Sequence, residues 1–481
     1  MIENQQKIPL SSFAGLYDII IPQDNLLRKI NNLIDFQFIY DELESKYCQD
    51  NGRMAYNPIM LFKYLMLKVI YTLSDVDVVA QSRYDMSFKY FLGLNPEDDV
   101  IDPSTLCKFR KQRLADMDLL DMLLAKSVGI ALKEGLIKTN SIIVDATHTG
   151  ARSNPMLPLE ALRKYSKLLR KSAYDASPLS HSALPEEKET NNLEEEIVYI
   201  KELVKKVESI PLLNEHPVVK QRLNLLKEKV TDVEENGTCS KDQDARIGYK
   251  SISNKFYGYK THIAMSPERI IIAATVTSGE KFDGNQLPEL VNRCNDVGVE
   301  VDTVIADGAY SGKQILEMSE EQDIKIVAKL NPQIGTAENR KISSRFTYNK
   351  DLNRYVCSRG IVSDNAYVVK LKSGNKVYAY RYRTAKCNGC PLKSKCWKPG
   401  AKSMSLFVHS NSTLYEKQMK FQESDEFKQL AKHRYKIEAK NAELKNTLGY
   451  RRAISYGLSS MQLQSAVTLF TANIKRILKI Q

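Results

Sequence analysis

Two segments far apart in the chain share one construction: SIIVDATHTG, residues 141–150, and VDTVIADGAY, residues 301–310. In each, a short apolar run (Ile142 to Val144, Val304 to Ala306) leads directly into an aspartate, Asp145 or Asp307. Runs this short, ended by a polar residue, suit buried strands better than helices. Between them, KFYGYKTHIAMSPERIIIAATVTSG reads as two strands joined at Ser266-Pro267. KFDGNQLPELVNRCNDVG then reads as a helix, and IKIVAKL beyond Asp307 as a further strand. The predicted order is strand-Asp, two strands, helix, strand-Asp, strand, which defines an α/β fold with a mixed sheet. Carboxylates brought together at strand ends repel one another, and a hard divalent cation relieves that repulsion while keeping sites for water and phosphate. Aspartate at a strand end is also a common turn former, so a third carboxylate decides between the two readings.

That carboxylate is sought in HRYKIEAKNAELKNTLGYRR, residues 433–452. On a helix with Arg434 at zero, Glu438 falls at about 40°, Asn441 at about 340° and Lys445 at about 20°, forming one polar stripe. Ile437, Leu444 and Leu448 fall at about 280–320°, an adjacent apolar stripe able to pack on a sheet. Glu443, at about 180°, is expected in solvent. Glu438 is therefore the candidate third ligand, with Arg434 and Lys445 placed to hold phosphate oxygens. Without the two aspartates, Glu438 would read as a surface partner of Arg434.

The remaining zones are read from patterning. Residues 1–137 are expected to be helical. Pro58 opens a helix with an apolar stripe of Ile59, Leu61, Phe62, Leu65, Met66 and Val69. Shorter helices with Ser74 and Ser104 as N-caps follow, in a helix-turn-helix-like spacing. In the second, Leu106 and Phe109 face inward, leaving Lys108, Arg110, Lys111 and Arg113 for a phosphate backbone. The formal charge of +12 favours a polyanionic partner. IMLFKYLMLKVIY is broken by Lys63 and Lys68 and falls short of a membrane span. The first ten residues also lack a secretory pattern, so a cytoplasmic chain with reduced thiols is expected. Cys357, Cys387, Cys390 and Cys396, spaced C-x29-C-x2-C-x5-C, could close a structural zinc site. Alternation at Ala366–Lys370 and Lys376–Arg381 predicts a hairpin between the first two cysteines. Residues 156–239 read as a charged helical hairpin, with Leu193, Ile197, Ile200, Leu203, Val204 and Val207 as its apolar stripe.

Taken together, Asp145-Ala146-Thr147, Asp307-Gly308-Ala309-Tyr310 and Arg434-x3-Glu438-x6-Lys445 resemble the signatures of bacterial insertion-sequence DDE transposases with a Tyr-Arg-Glu-Lys motif. NPIMLFKYLMLKVIY and STLCKFRKQR resemble that family's N-terminal domain. The motif's tyrosine is missing: Ala431 occupies its place, and Tyr435 is displaced. The resemblance implies a ribonuclease H-like core in which Asp145, Asp307 and Glu438 hold Mg²⁺ or Mn²⁺, two ions per site. It implies double-stranded DNA, both transposon ends and target, as substrate. It also implies a homodimer or larger assembly, nucleoid-associated when on DNA. Arg434, Lys445 and Lys260 would position phosphates, and His148, Tyr257, Tyr259 and His262 are further candidate DNA contacts. The expected organisation is an N-terminal DNA-binding domain (1–137), the catalytic core in three parts (138–155, 240–330 and 421–481), a helical insertion (156–239) and a cysteine-rich insertion (331–420). The alternative is a domesticated or inactive sequence-specific DNA-binding protein that does not cut.

Overall fold

The structure, a computed structural model, describes residues 11–481 apart from 49–53, 116, 155, 188–189, 237–239, 250–253, 331–344, 350–353, 371–375, 388–389, 391–392, 398–400, 402 and 410–412. Asn388 and Gly389 of the CNGC turn thus lie outside the described residues.

In the N-terminal zone, the helix Pro58–Tyr71 starts where the Asn57 side chain accepts from the Ile59 N–H and proline takes the first position. Its two lysines do not break it. Lys63 lies over the rings of Phe36 and Phe91, 4.9 and 5.2 Å from their centroids. Burial pulls the Lys63 ammonium down to about 8. Lys68 pairs with Asp75 on the next helix, Asp75–Ser82. Ser74 caps that helix as expected, but Asp102, not Ser104, caps Pro103–Gln112, because its carboxylate accepts from the Ser104 N–H.

The main sheet contains β1 (Ser141–Gly150), β2 (Arg246–Tyr249), β3 (Lys255–Met265), β4 (Ile271–Ser278), β5 (Thr303–Ile305) and β6 (Lys325–Val327). The order is β2-β3-β1-β5-β6, with β4 also on β3. The β3 and β4 pairings are antiparallel, while β1, β5 and β6 run parallel. β1 does not stop at Asp145. β5 leaves it at the Ile143–Ile305 pair, but β3 keeps bonding it as far as Gly150, so the strand continues past the aspartate.

Alternating side chains send Ile143, Ile263, Met265 and Ile305 to one face, into a core shared with the N-terminal helices and the long helix Leu458–Ile480. Phe62 and Phe470 meet there at 6.1 Å between centroids. Ile142, Val144, Val304 and Ala306 fill the other face, under the helices Leu287–Asp296 and Lys313–Glu321.

The insertion at 156–239 is not a hairpin. Pro158–Ala176 is a third long helix beside Leu193–Ser209 and Pro217–Asn236, and these helices bury an apolar core of their own. The cysteine-rich insertion carries β7 (Phe346–Asn349) paired with β8 (Arg354–Cys357). It also carries a second sheet, β11-β10-β9, of β9 (Asn365–Lys370), β10 (Lys376–Arg383) and β11 (Ser403–His409). β9 and β10 form the expected antiparallel hairpin.

Candidate active site

The last β1–β5 pair, Ile143 with Ile305, sets the site. Asp145 and Asp307 each lie two residues beyond it, so both carboxylates start from the face that Ile143 and Ile305 share, where the two strands diverge. Burial pushes the Asp145 carboxyl up to about 6, and the charges of Asp307 and Asp283 add to the rise. The Ala146 N–H and Arg434 oppose it. Asp307 accepts from the Ala309 N–H at 2.8 Å, which fixes the turn after β5.

Across this face lies the helix Tyr435–Thr447, with Ile437 and Leu444 buried beneath it. Asn441 Nδ2 donates to Asp145 Oδ2 at 2.9 Å. One turn on, Lys445 Nζ stands 3.4 Å from His148 Nε2. One turn back, Glu438 accepts from Arg434 at 2.7 Å, and its side chain is 56% exposed. In this conformation the Glu438 carboxylate is turned to the arginine. Among the described residues no three His, Cys, Asp or Glu side chains stand ready around one ion position.

Glu443 is not the solvated residue expected. It pairs with Arg269 at 3.0 Å and with the fully buried Lys440 at 3.1 Å. The helix face opposite Glu438 is covered by the β3–β4 turn, which brings Arg269, and by Arg476 of the C-terminal helix.

One carboxylate was not singled out from the sequence. Asp283 sits in a short turn between β4 and the helix Leu287–Asp296, where KFDG reads as ordinary turn chemistry. A Cβ on Gly284 would meet the Ala309 carbonyl at 2.6 Å, so this turn is pressed against the Asp307 turn. Asp283 takes Lys260 Nζ at 2.7 Å, and Lys260 also donates to the Lys281 carbonyl. Tyr310 is buried beside these groups. Its hydroxyl has no hydrogen-bond partner among the described residues, and burial, with Asp283, Asp145 and Asp307, holds its pKa well above the usual value.

Two candidate DNA contacts are interior. His262 is wholly buried and bonded to Thr277 at 2.9 Å, and burial pulls it down to about 3, so it is neutral. Tyr259 is wholly buried with its hydroxyl on Asp242. Tyr257 donates to the Asp242 carbonyl at 2.9 Å. In the N-terminal zone, Arg110 forks onto Asp75, while Arg113 donates to the Lys46 carbonyl and covers the Tyr47 ring. Lys108 and Lys111 are exposed on the same helix. The four insertion cysteines line one cavity of about 30 Å³ together with Tyr382 and Trp397.

A mixed sheet with one antiparallel arm and a parallel β1–β5–β6 half, acidic where β1 and β5 part, is the ribonuclease H-like fold of metal-dependent nucleases. The chain's relatives agree. A family described as "Transposase DDE domain" matches residues 228–474, more than half of the 481-residue chain. A family described as "Transposase domain (DUF772)" matches residues 16–112. No curated protein matches the chain. The chain belongs to the insertion-sequence DDE transposases: it is a metal-dependent enzyme of DNA transposition. Asp307 and Glu438 lie inside the matched span, and Asp145 precedes it.

Proposed function

We propose that this transposase binds the terminal inverted repeats of its element, cleaves the DNA there and joins the freed end to target DNA, with Asp145, Asp307 and Glu438 holding two divalent ions. The observation that carries the reading is that Asp145 and Asp307 follow the last β1–β5 pair at equal spacing, beneath the helix that bears Glu438. The residues fit hard cations. The donors are carboxylate and amide oxygens, and the buried Asn441 Oδ1 and Tyr310 hydroxyl beside them lack protein partners among the described residues. Bound Mg²⁺ would activate the attacking oxygen and stabilise the leaving one.

Glu438 reaches this arrangement by leaving Arg434. That pair is exposed, so the exchange gives up only about 0.3–0.5 kcal/mol. Arg434 and Lys445 then flank the carboxylates along one helix face, placed to grip phosphate oxygens on either side of the scissile bond. In the first step a water oxygen bonds to phosphorus and the 3′ oxygen leaves as a hydroxyl. In the second, that hydroxyl attacks a target phosphorus and displaces the target strand's own 3′ oxygen. Lys108 and Lys111 of the N-terminal zone, residues 1–137, supply phosphate contacts to the ends, and two or more copies act on paired ends. The cysteine set at 357, 387, 390 and 396, which lines one cavity without standing around a single ion position, would close on a structural Zn²⁺.

Duplex carrying the element's own ends, incubated with the full chain and Mg²⁺, should yield a 3′-hydroxyl that a polymerase can extend and that joins to plasmid DNA. Tight, specific binding with no cut in Mg²⁺ or Mn²⁺ would overturn the reading in favour of a binding-only protein. Zinc should co-purify at one ion per chain and fall in Cys390→Ser; zinc-free wild type with normal stability would remove that part.

A further inference from the structure

Asn441 is the closest hydrogen-bonding neighbour the helix offers to Asp145, and its two amide atoms have opposite fates. A carboxylate only accepts, so the donor Nδ2 must face Asp145, at 2.9 Å. The acceptor Oδ1 is then left buried, with no hydrogen-bond partner among the described residues. A buried acceptor is normally satisfied, and one that is not points to a missing partner. Ile437 and Leu444 are buried against the sheet on either side, so the amide is held by the helix rather than free to swing into solvent. It also lies on the same stripe as Glu438, one turn away, between that residue and Lys445.

We infer that Asn441 is a positioning residue of the metal site. It ties one oxygen of Asp145 and leaves the other for the ion, and its own Oδ1 is the neutral hard oxygen that completes the site, toward the ion or a water bound to it. This rests on the proposal that Asp145 holds a divalent ion. An amide suits this place better than a fourth carboxylate. The charges of Asp307 and Asp283 already bear on Asp145, and a neutral oxygen adds a ligand without adding repulsion.

The test needs no turnover. Mn²⁺ binding to the DNA-free full chain is followed by the electron paramagnetic resonance signal of free Mn²⁺, with thermal unfolding in EDTA as the check on folding. Asn441→Ala should weaken Mn²⁺ binding about tenfold, the scale of one hydrogen bond to a charged group. A merely structural role would move the EDTA melting curves and leave the Mn²⁺ constants alone. Wild-type Mn²⁺ affinity in folded Asn441→Ala overturns the inference. Asp145→Asn separates the two levels: if it abolishes binding while Asn441→Ala does not weaken it, only the role of Asn441 fails. If Asp145→Asn binds Mn²⁺ normally, the metal site itself fails.

Discussion

Glu443→Gln should destabilise the protein while Glu438→Gln leaves its stability unchanged, although both are glutamates on one helix. Lys440 Nζ is buried, and Glu443, 3.1 Å away, is the carboxylate that faces it. The charges around the pair are Arg269 and Arg476, which make an unpaired Lys440 worse off. Removing one member of a buried ion pair costs about 3–5 kcal/mol. The Glu443 side chain is 26% exposed, and water screens part of that, so about 2–3 kcal/mol is the expected loss. The exposed Arg434–Glu438 pair contributes about 0.3–0.5 kcal/mol. Urea unfolding followed by far-UV circular dichroism is the assay, because the single tryptophan, Trp397, reports only the cysteine-rich insertion. The pH dependence gives a second check. Burial already holds Lys440 below its ordinary value of 10.5, and Glu443 opposes that. With Glu443 gone, Lys440 falls further. The unfolded state then binds the proton more strongly than the folded one, so the variant's deficit should shrink as pH rises from 7 toward the unfolded lysine value. A Glu443→Gln protein within about 0.5 kcal/mol of wild type would refute the reasoning. So would a deficit that does not change with pH.

Further expectations follow from the same structure. Asp145 is raised from 3.8 to about 6, so in metal-free protein its ionised form opposes folding above that range, and the opposition is lifted as pH falls through about 6. Asp145→Asn should therefore be about 2 kcal/mol more stable than wild type in EDTA at pH 8, by urea unfolding, and a less stable variant would contradict this. Lys108→Ala and Lys111→Ala should each reduce the salt dependence of end binding by about one unit of log–log slope, with unchanged stability. Arg110→Ala should instead destabilise the N-terminal zone by removing the forked hydrogen bonds that Arg110 donates to Asp75, seen as a lower urea midpoint.

The part of the site built from local pattern was readable. The apolar runs before Asp145 and Asp307 fix two strands, and their equal spacing past the Ile143–Ile305 pair follows from the strand period. The helix stripe likewise put Asn441 and Lys445 on one polar face beside an apolar stripe, and burial of that stripe turns the polar face to β1. What was not legible depends on contacts between distant segments. Nothing near Glu443 announces Arg269, 174 positions away in sequence. Arg110 read as a DNA contact because Asp75, its partner, lies 35 residues earlier on another helix. Asp283 was hidden by its turn context, and only the fold brings that turn against the Asp307 turn. The strand through Asp145 is longer than expected for the same reason, since its later hydrogen bonds come from β3.

The most direct measurement is cleavage of DNA bearing the element's own ends, in Mg²⁺, by wild type and by Asp145→Asn, Asp307→Asn, Glu438→Gln and Glu443→Gln, all shown by gel shift to bind those ends. The account predicts loss of cutting in the first three variants and retained cutting by Glu443→Gln at a temperature where it is folded. Cleavage by Glu438→Gln at the wild-type rate would contradict it and place the third ligand elsewhere, with Asp283, whose charge bears on Asp145, the next carboxylate to test.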